Sequence, residues 1–141
     1  MLFEKIEKNV KDIIFVYTTC GSLEEARSIG LSAIDEKLAI SADYWFINSI
    51  YPWKNVIQEL GQCMLMFTTQ KYLSDKLVKH IEVEHSYNVP MIAKSDTLIT
   101  NPEYFLWAEN TLSNNDKYIT KEEADIIEKR NKAESGYERL K

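Results

Sequence analysis

Cysteine and glycine are scarce in this chain: its 141 residues hold two cysteines, Cys20 and Cys63, and four glycines. The cysteines form no CxxC and no framework of paired spacings, which argues against a zinc finger or a disulfide scaffold and for two reduced thiols. So few glycines leave little backbone that can approach a phosphate closely, and there is no glycine-rich phosphate loop, no GxSxG elbow and no HExxH. With no histidine beside an evident nucleophile and acid, an enzyme is not expected. No apolar run approaches the ~18 residues of a membrane helix. The 17 basic residues form no cluster denser than a helix face, and the net charge is −5. Neither nucleic acid nor a membrane is therefore an expected partner; metal cations match the charge better. The first eight residues, Met1-Leu2-Phe3-Glu4-Lys5-Ile6-Glu7-Lys8, alternate charge where a signal peptide needs an unbroken apolar core, so the expected location is the cytoplasm.

What is present is a repeat. Ile14-Phe15-Val16-Tyr17-Thr18-Thr19 returns fifty residues later as Met64-Leu65-Met66-Phe67-Thr68-Thr69, and each copy leads into a helix-like stretch. A six-residue apolar run fits a strand buried on both faces, since a strand wet on one side would alternate. Two such strands predict a two-stranded centre. After the first copy, Ser22-Leu23-Glu24-Glu25 is a capping box, followed by an apolar helix face of Ala26, Ile29, Gly30, Ala33 and Ile34. Its small residues let a helix sit close on a sheet, which makes Gly30 a packing residue. The helix after the second copy directs Leu73, Leu77, Val78 and Ile81 inward and Lys79 and His80 elsewhere.

Between these helices lies a hairpin, residues 38–51 out and 56–69 back, turning at Pro52-Trp53-Lys54-Asn55. Arms of fourteen residues reach roughly 45 Å, beyond an ordinary strand. Their edges and the aromatics Tyr44, Trp45, Phe46, Tyr51 and Trp53 are expected to pair with another copy, unless a bulge shortens the arm. A fourth strand is predicted over residues 89–99, with Pro90 near its start, and Asn101-Pro102-Glu103 opens a third helix reaching about Leu112, anchored by Tyr104 and Trp107. The order is the β-α-β-β-α-β of an α+β, ferredoxin-like fold with an antiparallel sheet, extended by C-terminal helices. Residues 1–112 form the domain. Residues 113–141 form a charged extension with seven acids and seven bases, a capping box at Thr120 and Glu123, and a small apolar cluster of Ala124, Ile126 and Ile127.

Four motifs now stand in order on that frame: Tyr17-Thr18-Thr19-Cys20, Ser49-Ile50-Tyr51-Pro52-Trp53, His85-Ser86-Tyr87-Asn88-Val89-Pro90, and Asn101-Pro102-Glu103-Tyr104-Phe105-Leu106-Trp107. Over residues 12–112 the chain resembles the CutA family of divalent-cation tolerance proteins. The resemblance implies a ferredoxin-like subunit closed into a homotrimer by its long strands, related to the PII signalling proteins, with a cytoplasmic role linked to metal. The chain departs from the family where Trp-Glu-Gly-Lys is replaced by Trp53-Lys54-Asn55-Val56, His-Pro-Tyr by His85-Ser86-Tyr87, a glutamate by Met91 and a cysteine by Ser41. It also runs past the family's usual end.

For metal the ligand types available are Cys20, Cys63, His80 and His85, with acids such as Glu84. Thiolate and imidazole suit copper or zinc, but a site needs three or four converging groups. His80 and His85 are about 140° apart on a helix and cannot share an ion unless the helix ends between them. Cys63 reads as core. Cys20, at a strand end before a helix N-terminus where the dipole lowers a thiol pKa, and His85, beside Tyr87, are the assigned metal ligands, completed if need be by a second subunit. The expected function is divalent-cation tolerance by binding copper or another divalent cation, without an organic cofactor. The alternative is a PII-like regulatory or scaffold trimer that binds a small molecule or a protein. Tyr51, Trp53 and Tyr87 line either a cleft or only an interface.

Overall fold

A computed structural model describes residues 12–139. The expectation drawn from the first eight residues lies outside the described residues, as do the start of the 1–112 domain and the last two positions of the extension. The elements run β1 (Ile13–Cys20), α1 (Leu23–Asp35), β2 (Ser41–Trp53), β3 (Val56–Gln70), a 3-10 turn (Lys71–Leu73), α2 (Ser74–Glu84), β4 (Ile92–Asp96), α3 (Pro102–Ser113) and α4 (Lys121–Arg139). The sheet order is β2-β3-β1-β4 with every neighbouring pair antiparallel. This is the ferredoxin-like arrangement, and the two copies of the repeat, β1 and β3, form its centre as predicted.

Pleating sorts the side chains of the central strands to two faces. Ile14, Val16 and Cys20 of β1, with Cys63, Leu65 and Phe67 of β3, meet Ala26, Ile29 and Ala33 of α1 and Leu77 and Ile81 of α2. On the other face Ile13 and Ile40 pack on Phe105, Ala108 and Leu112 of α3. The capping box forms at α1, where Ser22 Oγ accepts the Glu25 amide at 3.1 Å. A Cβ on Gly30 would stand 3.2 Å from Ala42 Cβ, so the small stripe does bring α1 down onto β2. Leu73 departs from the reading: it lies in the 3-10 turn rather than in α2 and packs with the α3 cluster.

The hairpin is as long as predicted and no bulge interrupts it. Its register is continuous from Ser41 opposite Thr68 to Trp53 opposite Val56. The turn is tighter than the four residues read from sequence: Pro52 and Trp53 continue β2, and Lys54 and Asn55 alone turn the chain, with φ of 50° and 65°. Two successive left-handed residues make the turn whose twist matches the strands. Pro52 is tolerated because β2 is an edge strand, with no outer neighbour among the described residues to require its amide. Since β1 pairs with β3 only as far as Cys63, the tip overhangs the sheet and exposes Ile50, Trp53 and Ile57 at 68%, 61% and 74%.

β4 is shorter than the predicted 89–99. It pairs only where β1 offers Ile14 to Thr18, and Val89 stands exposed before it. At α3, Asn101 is the N-cap and Pro102 follows it, but the Asn101 side chain makes no capping bond. Phe105, Ala108 and Leu112 anchor this helix, whereas Trp107 is half exposed, against the reading that made it an anchor. Thr120 Oγ1 accepts the Glu123 amide at 3.1 Å, so the capping box of the extension forms and α4 begins there. The segment before it is held to the domain by Lys37, whose Nζ donates to Asn114 Oδ1 at 2.8 Å and lies 3.7 Å from the Tyr118 ring centre.

Candidate metal centre

Three chain segments converge at one end of β1. The strand ends at Cys20, α1 starts one turn later with Glu25 at its third position, and α2 ends at His85, which caps it in extended conformation. One ligand atom from each of Cys20, Glu25 and His85 lies within 4.8 Å of the others. Cys20 and His85 are buried and Glu25 is partly covered. The two residues assigned from sequence are thus neighbours. Glu25 was read only as half of a capping box; its place three residues past the Ser22 cap, one turn from Cys20, was the signal.

Each member is held by bonds of its own. Glu25 Oε1 accepts the Gly21 amide at 3.1 Å. Burial by itself raises the Glu25 carboxyl, but hydrogen bonding to Ser86 and to the Gly21 amide outweighs it and holds the group below its usual range. His85 Nε2 lies 2.8 Å from the Thr19 carbonyl, and its Nδ1 accepts the Tyr87 amide at 3.1 Å. A carbonyl only accepts and an amide only donates, so the imidazole is neutral with its proton on Nε2. The Tyr87 ring stacks at a tilt against His85 with centres 4.8 Å apart, and its hydroxyl donates to Gln62 Oε1 at 3.1 Å. Burial, with Glu25, Tyr51 and Cys20 around it, raises the Tyr87 phenol. Trp53 lies at the exposed hairpin tip.

Cys20 behaves opposite to the sequence expectation. Burial, with Glu25 and Cys63 adding to it, pushes the thiol up to about 12 rather than down. Its exclusion from water outweighs the pull of the α1 dipole. Cys63 lies in the core, as read from sequence, and the β1–β3 ladder sets it opposite Cys20. His80 belongs to a different group: its Nε2 lies 2.9 Å from Ser32 Oγ, which donates to Glu84 at 2.7 Å. The helix end at Glu84 separates His80 from His85.

The donor set of thiol, imidazole and carboxylate suits a borderline cation such as zinc or copper. Ligand atoms sharing one tetrahedral zinc stand roughly 3.5 Å apart, so these groups must draw in by about 1 Å. Occupation would also displace the Cys20 proton and one His85 hydrogen bond. By donor type and proximity the three residues would suit a three-ligand site.

The family model described as CutA1 divalent ion tolerance protein matches residues 14–111. The chain is 31% identical over 101 residues to the divalent-cation tolerance protein CutA of Thermococcus kodakarensis, covering 72% of this chain and 97% of that one. It is 28% identical over 112 residues to the chloroplastic protein CutA of Arabidopsis thaliana, and this match covers 79% of the chain but 61% of that longer relative. The crystal structure of the divalent ion tolerance protein CutA1 from Ehrlichia chaffeensis superposes with a TM-score of 0.70 at 26% identity, over 74% of this chain and 98% of that one. From its ferredoxin-like sheet and from these matches, the chain belongs to the CutA1 family of divalent ion tolerance proteins.

Proposed function

We propose that this protein serves divalent-cation tolerance by binding the cation itself, as a cytoplasmic homotrimer, through Cys20, His85 and Glu25. The observation that carries the reading is the convergence of these three donors from β1, α1 and α2. Copper is the first cation to consider, because thiolate and imidazole rank it above the other divalent first-row metals. The Cys20 proton has to leave on binding, which makes the affinity depend on pH. The family is one of divalent ion tolerance proteins, and binding without chemical change is the simplest route to tolerance.

The trimer is supported by the hairpin. Among the described residues β2 has no outer neighbour, Phe46 stands exposed on it, and the overhanging tip exposes Ile50, Trp53, Val56 and Ile57. A long apolar edge of this kind invites pairing with a second chain. No helix among the described residues is long and apolar enough to cross a membrane.

The test is titration of copper(II) and zinc(II) against a competing chelator, with the solution mass measured in the same buffer. Saturable binding at a whole number of ions per trimer, lost in Cys20→Ser and His85→Ala, is the expected result. Tight binding unchanged in both variants removes these ligands, and a monomeric mass at micromolar concentration removes the assembly. A second reading has one observation behind it, namely that both His85 nitrogens already serve internal hydrogen bonds. In it His85 is structural, and the trimer is a PII-like regulator binding a small molecule or protein near Tyr51 and Tyr87.

A further inference from the structure

Cys20 has a second partner besides the metal donors. The β1–β3 register sets it directly opposite Cys63, and both are free thiols with no exposed surface. Both belong to the same core cluster, so both side chains leave the sheet on one face. The Lys71 amide bonds to the Asp12 carbonyl at 2.6 Å, which makes the pair just before Ile13 and Gln70 a hydrogen-bonded one. Hydrogen-bonded pairs alternate along an antiparallel ladder, so Ile14 and Thr69, Val16 and Phe67, Thr18 and Leu65, and finally Cys20 and Cys63 are of that kind. Their α-carbons are about 5.5 Å apart, inside the roughly 4.4–6.8 Å that a disulfide spans. A disulfide needs its β-carbons at about 3.8 Å, closer than such a pair holds them at rest. Cys20 is the last residue of β1, and a strand end with no further ladder beyond it can make that movement.

We infer that Cys20 and Cys63 form a dithiol that closes to a disulfide under mild oxidation, and that this closure removes Cys20 from Glu25 and His85 and so releases the bound cation. The inference rests on the cation site proposed above. The chain's two cysteines allow a single connectivity within a subunit.

A hydroperoxide is the oxidant. Cys20 has no exposed surface while the strand is closed, so the reaction proceeds from the opened β1 end. There the Cys20 sulfur attacks one peroxide oxygen, the O–O bond breaks, and the alcohol or water leaves with a proton while Cys20 becomes a sulfenic acid. The Cys63 sulfur then attacks the Cys20 sulfur, the S–S bond forms, and the hydroxyl departs with the Cys63 proton as water. Two thiols lose two electrons and two protons, and one peroxide is reduced.

The experiment treats the reduced full-length protein, free of metal, with one equivalent of hydrogen peroxide. It reads the intact mass and the unreduced peptide map, then titrates zinc(II), which has no redox chemistry of its own, before and after. Expected are a species lighter by two hydrogens, a Cys20–Cys63 cross-linked peptide, zinc binding at least tenfold weaker, and recovery on adding dithiothreitol. Cys63→Ala, with Cys63→Ser as a second choice if folding suffers, should bind zinc like the parent when reduced and form no lighter species. Sulfinic acid or a disulfide between chains in place of the internal bond overturns the dithiol, even where zinc binding stands. A disulfide that leaves zinc affinity unchanged overturns the gate. Failure of the reduced parent to bind zinc overturns the cation site and the gate with it, while the peptide map reports the disulfide independently.

Discussion

His85 is tied to Thr19 across the two halves of the repeat, its Nε2 donating to the Thr19 carbonyl at 2.8 Å from the end of α2 to the end of β1. The opposite ring nitrogen accepts the Tyr87 amide, so one side chain holds the exit of α2 and the end of β1 together. His85→Ala leaves a buried carbonyl and an amide without their partner. The expected loss is about 1–3 kcal/mol, read as a lower denaturant midpoint in the metal-free protein. Nitrogen NMR of the imidazole should show the proton on Nε2; the opposite tautomer contradicts the assigned bonds.

The pH dependence of Cys20 follows from its burial. The group rises from an ordinary 9.0 to about 12, so the folded state holds the thiol proton more firmly than the unfolded chain. The associated stability is complete below 9.0, and it is lost as pH climbs from there through about 12. Cys20→Ser should show a shallower fall in denaturant midpoint over that alkaline range than the parent. At neutral pH iodoacetamide should label both thiols far more slowly in the folded protein than in denaturant; rapid labelling of Cys20 in the folded protein would contradict its burial.

The hairpin turn can be improved. Lys54 and Asn55 both adopt left-handed backbone, which costs a lysine more than an asparagine and a glycine nothing. Replacing Lys54→Asn together with Asn55→Gly supplies the residue pair that this turn favours. A gain of about 0.5–1 kcal/mol in thermal or denaturant unfolding is expected. A loss would show that the Lys54 side chain, whose Nζ lies 5.9 Å from the Trp53 ring centre, contributes more than the strain costs.

Lys37 is another left-handed residue, with φ of 58°, and its side chain holds the start of the extension through Asn114 and Tyr118. Lys37→Ala and Lys37→Gly both remove that hold, so trypsin should cut at Lys117 severalfold faster in each. They should differ in the domain itself. Glycine relieves a backbone cost of about 1 kcal/mol that alanine keeps, and its denaturant midpoint should be the higher of the two. Equal cleavage in parent and variants would show that Lys37 does not restrain the segment.

Much of this protein follows from its sequence. The paired runs ending in Thr18-Thr19 and Thr68-Thr69 announced two central strands, and the capping residues Ser22 and Thr120 announced two helix starts. These are local signals, because a strand buried on both faces and a capped first turn each need only a few adjacent residues of the right kind. Element limits were less legible. Where β4 stops depends on how much of β1 remains free to pair, and whether Leu73 serves one face or the other depends on a turn that its own residues do not betray. The site was half legible: Cys20 and His85 carry the right ligand chemistry, but nothing within a few residues shows that they meet. Only the meeting of β1, α1 and α2 at one end of the sheet brings Glu25 close to both, and only the β1–β3 register sets Cys63 opposite Cys20. The tertiary structure also reversed the expected behaviour of Cys20, since the helix dipole acts from one neighbouring turn while the loss of water is decided by everything packed around the thiol.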